Sequence, residues 1–177
     1  MKKHVFLILV TATCWMVACN PKSESKMNTA SGGASTVGLP YAASYTTEFN
    51  NNISDSDLLT VLNSYKYWEQ GDMKALRTTM GDSMRAEMSD GTVLKGSADT
   101  VLGVWSKYRD SISSVKINME VWLKNHSLKD SANWVNVWYI ETDTYKNGRV
   151  DSAEYEDDNA VKNGKITYLS THKKTIN

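Results

Sequence analysis

The pattern of apolar residues divides the chain into an apolar leader, a polar segment and a region in which apolar residues recur at regular intervals. Between residues 54 and 112, apolar positions recur mostly every three or four residues, which is the spacing of helices packed on one face. From Val115 onward they alternate with polar residues, as in strands with one buried face. We therefore expect helices first and then an antiparallel sheet.

Three helices are predicted, and a capping residue precedes each of them. Ser54, Asp72 and Ser97 each precede a stripe of apolar residues at helical spacing. The stripes are Leu58-Val61-Leu62-Tyr65-Trp68, Met73-Leu76-Met80 and Val101-Trp105-Tyr108-Ile112. Gly71 follows the first stripe, where a glycine typically ends a helix in the left-handed conformation.

Five strands are predicted. The first carries Met84, Ala86 and Met88 on one face and precedes the third helix. Four more follow as a meander, at residues 115–123, 134–140, 150–161 and 166–173. The strand at 134–140 is apolar on both faces and should be central, whereas the acidic strand at 150–161 should lie nearer the sheet edge. Helices gathered before an antiparallel sheet define an α+β class.

The first 18 residues have the form of a secretory signal. Two lysines precede an apolar run that is too short to cross a bilayer. The run ends in Met16-Val17-Ala18-Cys19, which resembles the bacterial lipobox, so Cys19 is expected to carry lipid; an ordinary cleaved signal is the alternative. Residues 19–53 then form a polar tether, and 54–177 form the domain. We expect a lipid-anchored protein of the bacterial cell envelope.

Composition excludes several classes of function. The chain has 20 basic and 20 acidic residues, so no basic excess favours nucleic acid. Beyond Cys19 there is no cysteine, which excludes disulfides and thiol chemistry from the domain. No zinc spacing or phosphate-binding glycine loop is present. The segment from Asp143 to Glu154 fits a calcium loop only in part, because Tyr145 stands where an oxygen ligand is required. No metal or cofactor is predicted.

This order of elements, with several short motifs, resembles the nuclear transport factor 2-like superfamily. The motifs are Tyr67-Trp68-Glu69-Gln70-Gly71-Asp72, Asp90-Gly91, Leu94-Lys95-Gly96, Trp105 and Asn163-Gly164-Lys165-Ile166. The resemblance covers about residues 54 to 173. It implies three helices packed on a curved antiparallel sheet as a cone with an internal pocket, and a homodimer through the sheet. The superfamily contains ketosteroid isomerase, SnoaL-like cyclases and non-catalytic binding modules, so the fold does not decide the function.

The resemblance also identifies positions that enzymes of this kind use. The catalytic base of ketosteroid isomerase aligns with Met88, which cannot accept a proton, and Glu87 points to the opposite face. The phenolic hydrogen-bond donor aligns with Ser64. SnoaL-like enzymes use pocket histidines, and His172 shares strand parity with Tyr168. The catalytic alternative is therefore a SnoaL-like lyase or isomerase that uses His172, with Tyr168 or Glu87.

Aromatic residues support a different expectation, which is a non-catalytic domain. We expect a pocket for a small, largely apolar ligand, lined by Tyr65, Trp68, Met88, Trp105, Tyr108, Trp138 and Tyr168. The same aromatic side chains could instead simply fill the core. Trp122 lies on the polar parity of its strand and could cover a helix, a binding surface or a dimer contact, of which we expect the dimer contact. The leading expectation is thus a ligand-binding or dimeric interaction module.

Overall fold

The computed structural model describes residues 43–176, which lie within one compact unit, Leu39–Asn177. The expected signal peptide, the lipidation site Cys19 and most of the expected tether lie outside the described residues. In the described range, no helix is both long enough and apolar enough to span a membrane.

Local capping signals place the helices where the sequence predicts them. The helices are α1 (Asp55–Gln70), α2 (Met73–Thr79) and α3 (Ala98–Arg109). The side chains of Ser54, Asp72 and Ser97 each accept a hydrogen bond from a backbone N–H of the first helical turn. Gly71 ends α1 at a φ of 71°, a conformation that side-chain-bearing residues rarely adopt. The three predicted helices are confirmed.

Seven strands form one mixed sheet, which confirms the α+β class. The strands are β1 (Phe49–Asn50), β2 (Met80–Glu87), β3 (Val93–Ser97), β4 (Ile112–Ser127), β5 (Asn133–Tyr145), β6 (Val150–Lys162) and β7 (Lys165–Thr175). Their order is β1-β4-β5-β6-β7-β2-β3, and only the β2–β7 pair is parallel among the pairs described. The meander β4 to β7 matches the prediction, whereas β1 and β3 were not predicted.

The folded structure begins before Ser54. Phe49 of β1 pairs with Ser127 of β4, and the Tyr45 hydroxyl donates a hydrogen bond of 2.7 Å to Asp130. These contacts join the end of the predicted tether to the domain.

The sheet has an inner face that packs on the helices and an outer face turned away from them. Helix α1 contacts β4 and β7, and α3 contacts β2 and β3. The core lies between these layers and contains Val61, Tyr65, Leu76, Met84, Ala86, Val101, Val135, Val137 and Ile166. Apolar burial on this scale is the main force that holds the two layers together.

Strand β6 is not near the edge, so that prediction was wrong. It lies between β5 and β7, and Asp157 and Asn159 are each only 2% exposed. Their neighbours Glu156 and Asp158 point to the outer face, because successive residues of a strand alternate. The acidic residues of β6 therefore lie on both faces of the sheet, with Asp157 buried and Glu156 and Asp158 on the outer face.

Irregularities in pairing reverse the alternation within β4 and between β6 and β7. The register shifts between Met119 and Val121, so Trp122 lies opposite the buried Val137 on the inner face. Val121 and Leu123 move to the outer face, where each is about half exposed. The prediction of one continuous buried face was wrong here. Trp122 instead borders a small groove beside α1.

Candidate functional site

A cavity of about 480 Å³ lies between the helices and the inner face of the sheet. One side is apolar and aromatic, formed by Trp68, Leu76, Met80, Met84, Met88, Leu94, Trp105 and Tyr108. Val104 and Tyr108 are both nearly half exposed and mark its open end. A space of this size and lining is typical of small-molecule sites.

The sheet side of the cavity carries buried polar groups. We call the set Glu141, Asp157, Asn159 and Thr171 the polar wall; each lines the cavity and is at most 9% exposed. Glu141 lies on β5, Asp157 and Asn159 on β6, and Thr171 on β7. Thr171 pairs directly with Asp157, so these side chains share one face. Buried polar side chains need hydrogen-bond partners, and these four face a cavity in which a ligand could supply them. The polar wall is therefore a candidate binding site.

Asp157 is the most buried acid of the polar wall. Its Oδ2 accepts hydrogen bonds from the hydroxyls of Tyr65, at 2.8 Å, and Tyr139, at 3.0 Å. Within the described residues its Oδ1 has no hydrogen-bond partner. Burial raises the pKa of Asp157 to about 6, although the hydroxyls of Tyr65, Tyr139 and Thr171 favour the ionised form.

Asn159 fixes the orientation of the Tyr65 hydroxyl. The Asn159 Nδ2 donates to the Tyr65 hydroxyl at 3.1 Å and to the Val135 carbonyl oxygen at 3.2 Å. Tyr65 must therefore direct its own proton to Asp157. Burial, followed by the charge of Asp157, raises the pKa of Tyr65 well above its ordinary value, so this hydroxyl stays protonated.

Glu141 is a second buried acid, and its protonation state differs from that of Asp157. The Trp68 Nε1 donates to its Oε2 at 3.2 Å. Burial and then the charges of Asp143 and Asp157 raise the pKa of Glu141 to about 8, so it is mostly protonated at neutral pH. Asp143 in turn accepts a 3.2 Å hydrogen bond from the Tyr108 hydroxyl, and burial raises its pKa as well.

Aromatic rings surround these acids in two nearly parallel pairs. Trp68 and Tyr108 have ring centroids 6.3 Å apart at an interplanar angle of 4°. Tyr139 and Tyr155 lie 5.3 Å apart at 13°. The acidic residues that line the cavity are Asp90, Glu141 and Asp157, and the basic residue is Lys173.

Comparison with known proteins gave matches to solved structures, but none to protein-family models or to curated protein sequences. An LEH-like epoxide hydrolase from M. tuberculosis aligns with a TM-score of 0.58 at 10% identity, covering 68% of this chain and 84% of that chain. An NTF2-like protein of unknown function from Burkholderia pseudomallei gives 0.54 at 15%, covering 69% and 92%. Bal32a from a soil-derived mobile gene cassette gives 0.55 at 16%, covering 67% and 89%.

The chain has the nuclear transport factor 2-like fold. Structures that share this fold include an enzyme and proteins of unknown function. At these identities the likeness concerns the fold alone, so the function must be argued from the side chains.

Five of the seven residues predicted to line a pocket in this nuclear transport factor 2-like fold do line the cavity. They are Tyr65, Trp68, Met88, Trp105 and Tyr108. Trp138 and Tyr168 do not. Trp138 pairs with Val121 and Glu156 on the outer face, and the Tyr168 ring packs edge-on against Trp134 at 5.7 Å.

The catalytic set predicted around His172 is not in the cavity. A register shift between Ala160 and Val161 interrupts the alternation along β7, so His172 pairs with Glu156 on the outer face and is exposed. Glu87 forms an ion pair of 2.7 Å with Arg85. The prediction that His172 faces the pocket on the same side of the strand as Ile166 was therefore wrong.

The polar wall itself was not predicted. Its signal in the sequence is the continuation of a buried parity: Val135, Val137 and Tyr139 are followed in step by Glu141. A polar residue that continues a buried parity is therefore a candidate cavity residue. Within residues 43–176, no three histidines, cysteines or acids are grouped so that they could hold a metal ion.

Proposed function

We propose that this domain binds a small, largely apolar ligand that carries a polar group, inside a cone-shaped cavity between three helices and the curved sheet. The observation that carries the proposal is the division of the cavity into an apolar side and a polar wall. The buried Oδ1 of Asp157 has no partner among the described residues, which costs stability, and a hydrogen-bond donor on a ligand would remove that cost.

We further propose that the protein is located at the bacterial cell envelope. Cys19 would carry lipid and hold the domain at the bacterial envelope. The outer face of the sheet would contact a second copy of the chain, and the half-exposed Val121 and Leu123 support this assignment.

A matched pair of tryptophan substitutions tests the binding proposal. Leu94 lines the cavity and is partly buried, whereas the adjacent Val93 does not line it and is about half exposed. In native mass spectrometry of the full chain purified from its host, we expect a ligand mass on the wild type and on Val93→Trp. Leu94→Trp should lose that mass, because the indole occupies the ligand's space. Equal retention by both variants would contradict the proposal.

A second candidate function, acid–base catalysis on the bound ligand, is supported by the two buried acids. The pKa of Glu141 is about 8 and that of Asp157 about 6, so near neutral pH one holds its proton while the other can accept one. Glu141 would donate a proton to an oxygen of the ligand, and Asp157 would remove one from a carbon.

Deuterium exchange tests this second candidate. The ligand recovered from the protein is incubated with fresh protein in D2O, and its mass is then measured by mass spectrometry. Catalysis predicts deuterium uptake or a converted mass with the wild type and with His172→Ala, and neither with Asp157→Asn. An unchanged ligand in every sample would contradict catalysis while leaving the binding proposal intact.

A further inference from the structure

We propose that the polar group of the ligand is a protonated amine, so the ligand class is a small amine with an apolar or aromatic body. This inference rests on the proposed function, because it names the ligand class of the same cavity. It is carried by three observations, which are the charge balance of the lining, the unpartnered oxygen of Asp157 and the arrangement of aromatic rings.

The charge balance favours a cationic ligand. In the described part of the chain, the buried carboxylate of Asp157 forms no ion pair. Lys173 is the basic residue that lines the cavity, and its ammonium group is engaged by Asp151 at 3.6 Å. A cation placed against the polar wall would therefore supply the missing countercharge.

The hydrogen bonds of Asp157 define what the ligand must offer. Two tyrosine hydroxyls already occupy Oδ2, and Oδ1 has no donor among residues 43–176. The Thr171 hydroxyl favours the ionised form of this acid without making a hydrogen bond to Oδ1. A carboxylate only accepts hydrogen bonds, so its partner must be a donor. An ammonium group provides up to three donors together with a positive charge.

The aromatic rings suit the same ligand. The faces of tryptophan and tyrosine attract cations within about 6 Å of the ring centroid. The chain uses this contact itself near the cavity: the Lys173 ammonium lies 5.5 Å from the Tyr155 ring, and the Arg109 guanidinium 6.0 Å from the Trp68 ring. An amine inside the cavity would lie among aromatic rings of the kind that already hold these two cations, and beside a carboxylate.

Other ligand classes suit Asp157 less well. A neutral alcohol can donate to Asp157 but leaves the charge uncompensated. An anionic ligand would place a further negative charge beside Asp157, which is unfavourable in a poorly hydrated space. The ranking expected from the cavity is therefore amine, then alcohol, then anion.

Three soluble probes that share one indole body test this ranking: tryptamine, tryptophol and indole-3-acetate. Isothermal titration calorimetry on the full chain near neutral pH should give about tenfold or tighter binding of tryptamine than of tryptophol, as expected for one charge-assisted hydrogen bond. Indole-3-acetate should bind most weakly. Because this comparison uses the wild type, it does not depend on how any variant folds.

One substitution and a control locate the effect. Asp157→Asn keeps the shape of the side chain and should remove most of the preference for tryptamine over tryptophol. Glu156→Gln removes a charge from the same strand but on the outer face, so the preference should persist. A preference that survives Asp157→Asn would overturn the inference.

The outcomes also separate this inference from the proposed function. Equal binding of tryptamine and tryptophol overturns the amine assignment and supports a cavity that selects apolar ligands. Failure of all three probes to bind overturns the amine assignment as well. It would count against the proposed function itself only if native mass spectrometry also found no ligand on the wild type.

Discussion

Asp157 is held in an environment that costs stability at neutral pH. Its ordinary pKa is 3.8, and burial raises it to about 6 in the folded protein. The folded state therefore binds more protons than the unfolded state between these values, so stability falls as pH rises through this range. The full shift corresponds to about 3 kcal/mol. Glu141 acts in the same direction up to about pH 8.

Asp157→Asn should therefore stabilise the protein, and more at high pH than at low pH. We expect a gain of about 1–3 kcal/mol near pH 8 and a smaller one near pH 4, because the aspartic acid is uncharged there. Urea unfolding at the two pH values measures both gains. Glu156→Gln, the outer-face control, should stay within about 0.5 kcal/mol of the wild type. A loss of stability at pH 8 that matches the loss at pH 4 would show that the charge is not costly.

His172 should be dispensable for the cavity. It is exposed on the outer face, opposite Glu156. His172→Ala should therefore change the free energy of unfolding by no more than about 0.5 kcal/mol and leave the bound ligand mass intact. Chemical denaturation and native mass spectrometry of the variant check both expectations. Loss of the ligand with the fold unchanged would restore the histidine as a site residue.

The residues that sequence analysis placed correctly are those whose position depends on local signals. Trp105 follows from the helical period of α3, and Met88 continues the alternation of Met84 and Ala86 just past the end of β2. His172 and Tyr168 were misplaced because a single irregularity in pairing reverses a strand's faces, and that irregularity depends on the neighbouring strand. The polar wall was missed because polar residues inside a sheet look like surface residues when only one strand is considered.

A helix or strand was predictable where its boundaries depend on residues close by in the sequence. The caps at Ser54 and Ser97 are short-range hydrogen bonds, and the sequence indicates them directly. Strand β1 has only two residues and exists through its pairing with Ser127 and His126, far along the chain. Such a strand leaves no periodic signal. The central place of β6 likewise depends on the parallel pairing of β2 with β7.

The junction of α1 and α3 offers a test at the level of elements. Gly71 ends α1 at a φ of 71°, and a Cβ there would lie 3.2 Å from Arg109 Nη2. The Arg109 side chain donates to the carbonyl oxygens of Trp68, Glu69 and Ile112 and so joins the two helices. Gly71→Ala should cost about 1–2 kcal/mol, from backbone strain and displacement of this arginine.

Gly91→Ala is the matched control for that test. Gly91 also has a positive φ, 86°, but an added Cβ would meet no atom within 4 Å. It should therefore cost only the backbone strain, about 1 kcal/mol. Thermal melts of the two variants give the difference. If Gly91→Ala were as costly as Gly71→Ala, the arginine contact would not contribute.

For the molecule as a whole, the order of helices and strands, together with the short motifs that carry the family resemblance, predicted the fold, and the solved structures confirm it. The cavity's chemistry was not predictable in the same way, because Tyr65, Tyr139 and Asp157 meet from three different elements. Their contact is a property of the assembled sheet and helix. Function in this fold therefore rests on which polar residues reach the inner face.

The most direct test of the binding account is a crystal structure of the full chain purified from its host without added ligands. We expect electron density for a small molecule between the aromatic side of the cavity and the polar wall, with a donor atom within hydrogen-bonding distance of Asp157 Oδ1. A cavity filled by rearranged side chains, with Asp157 Oδ1 paired inside the protein, would contradict it.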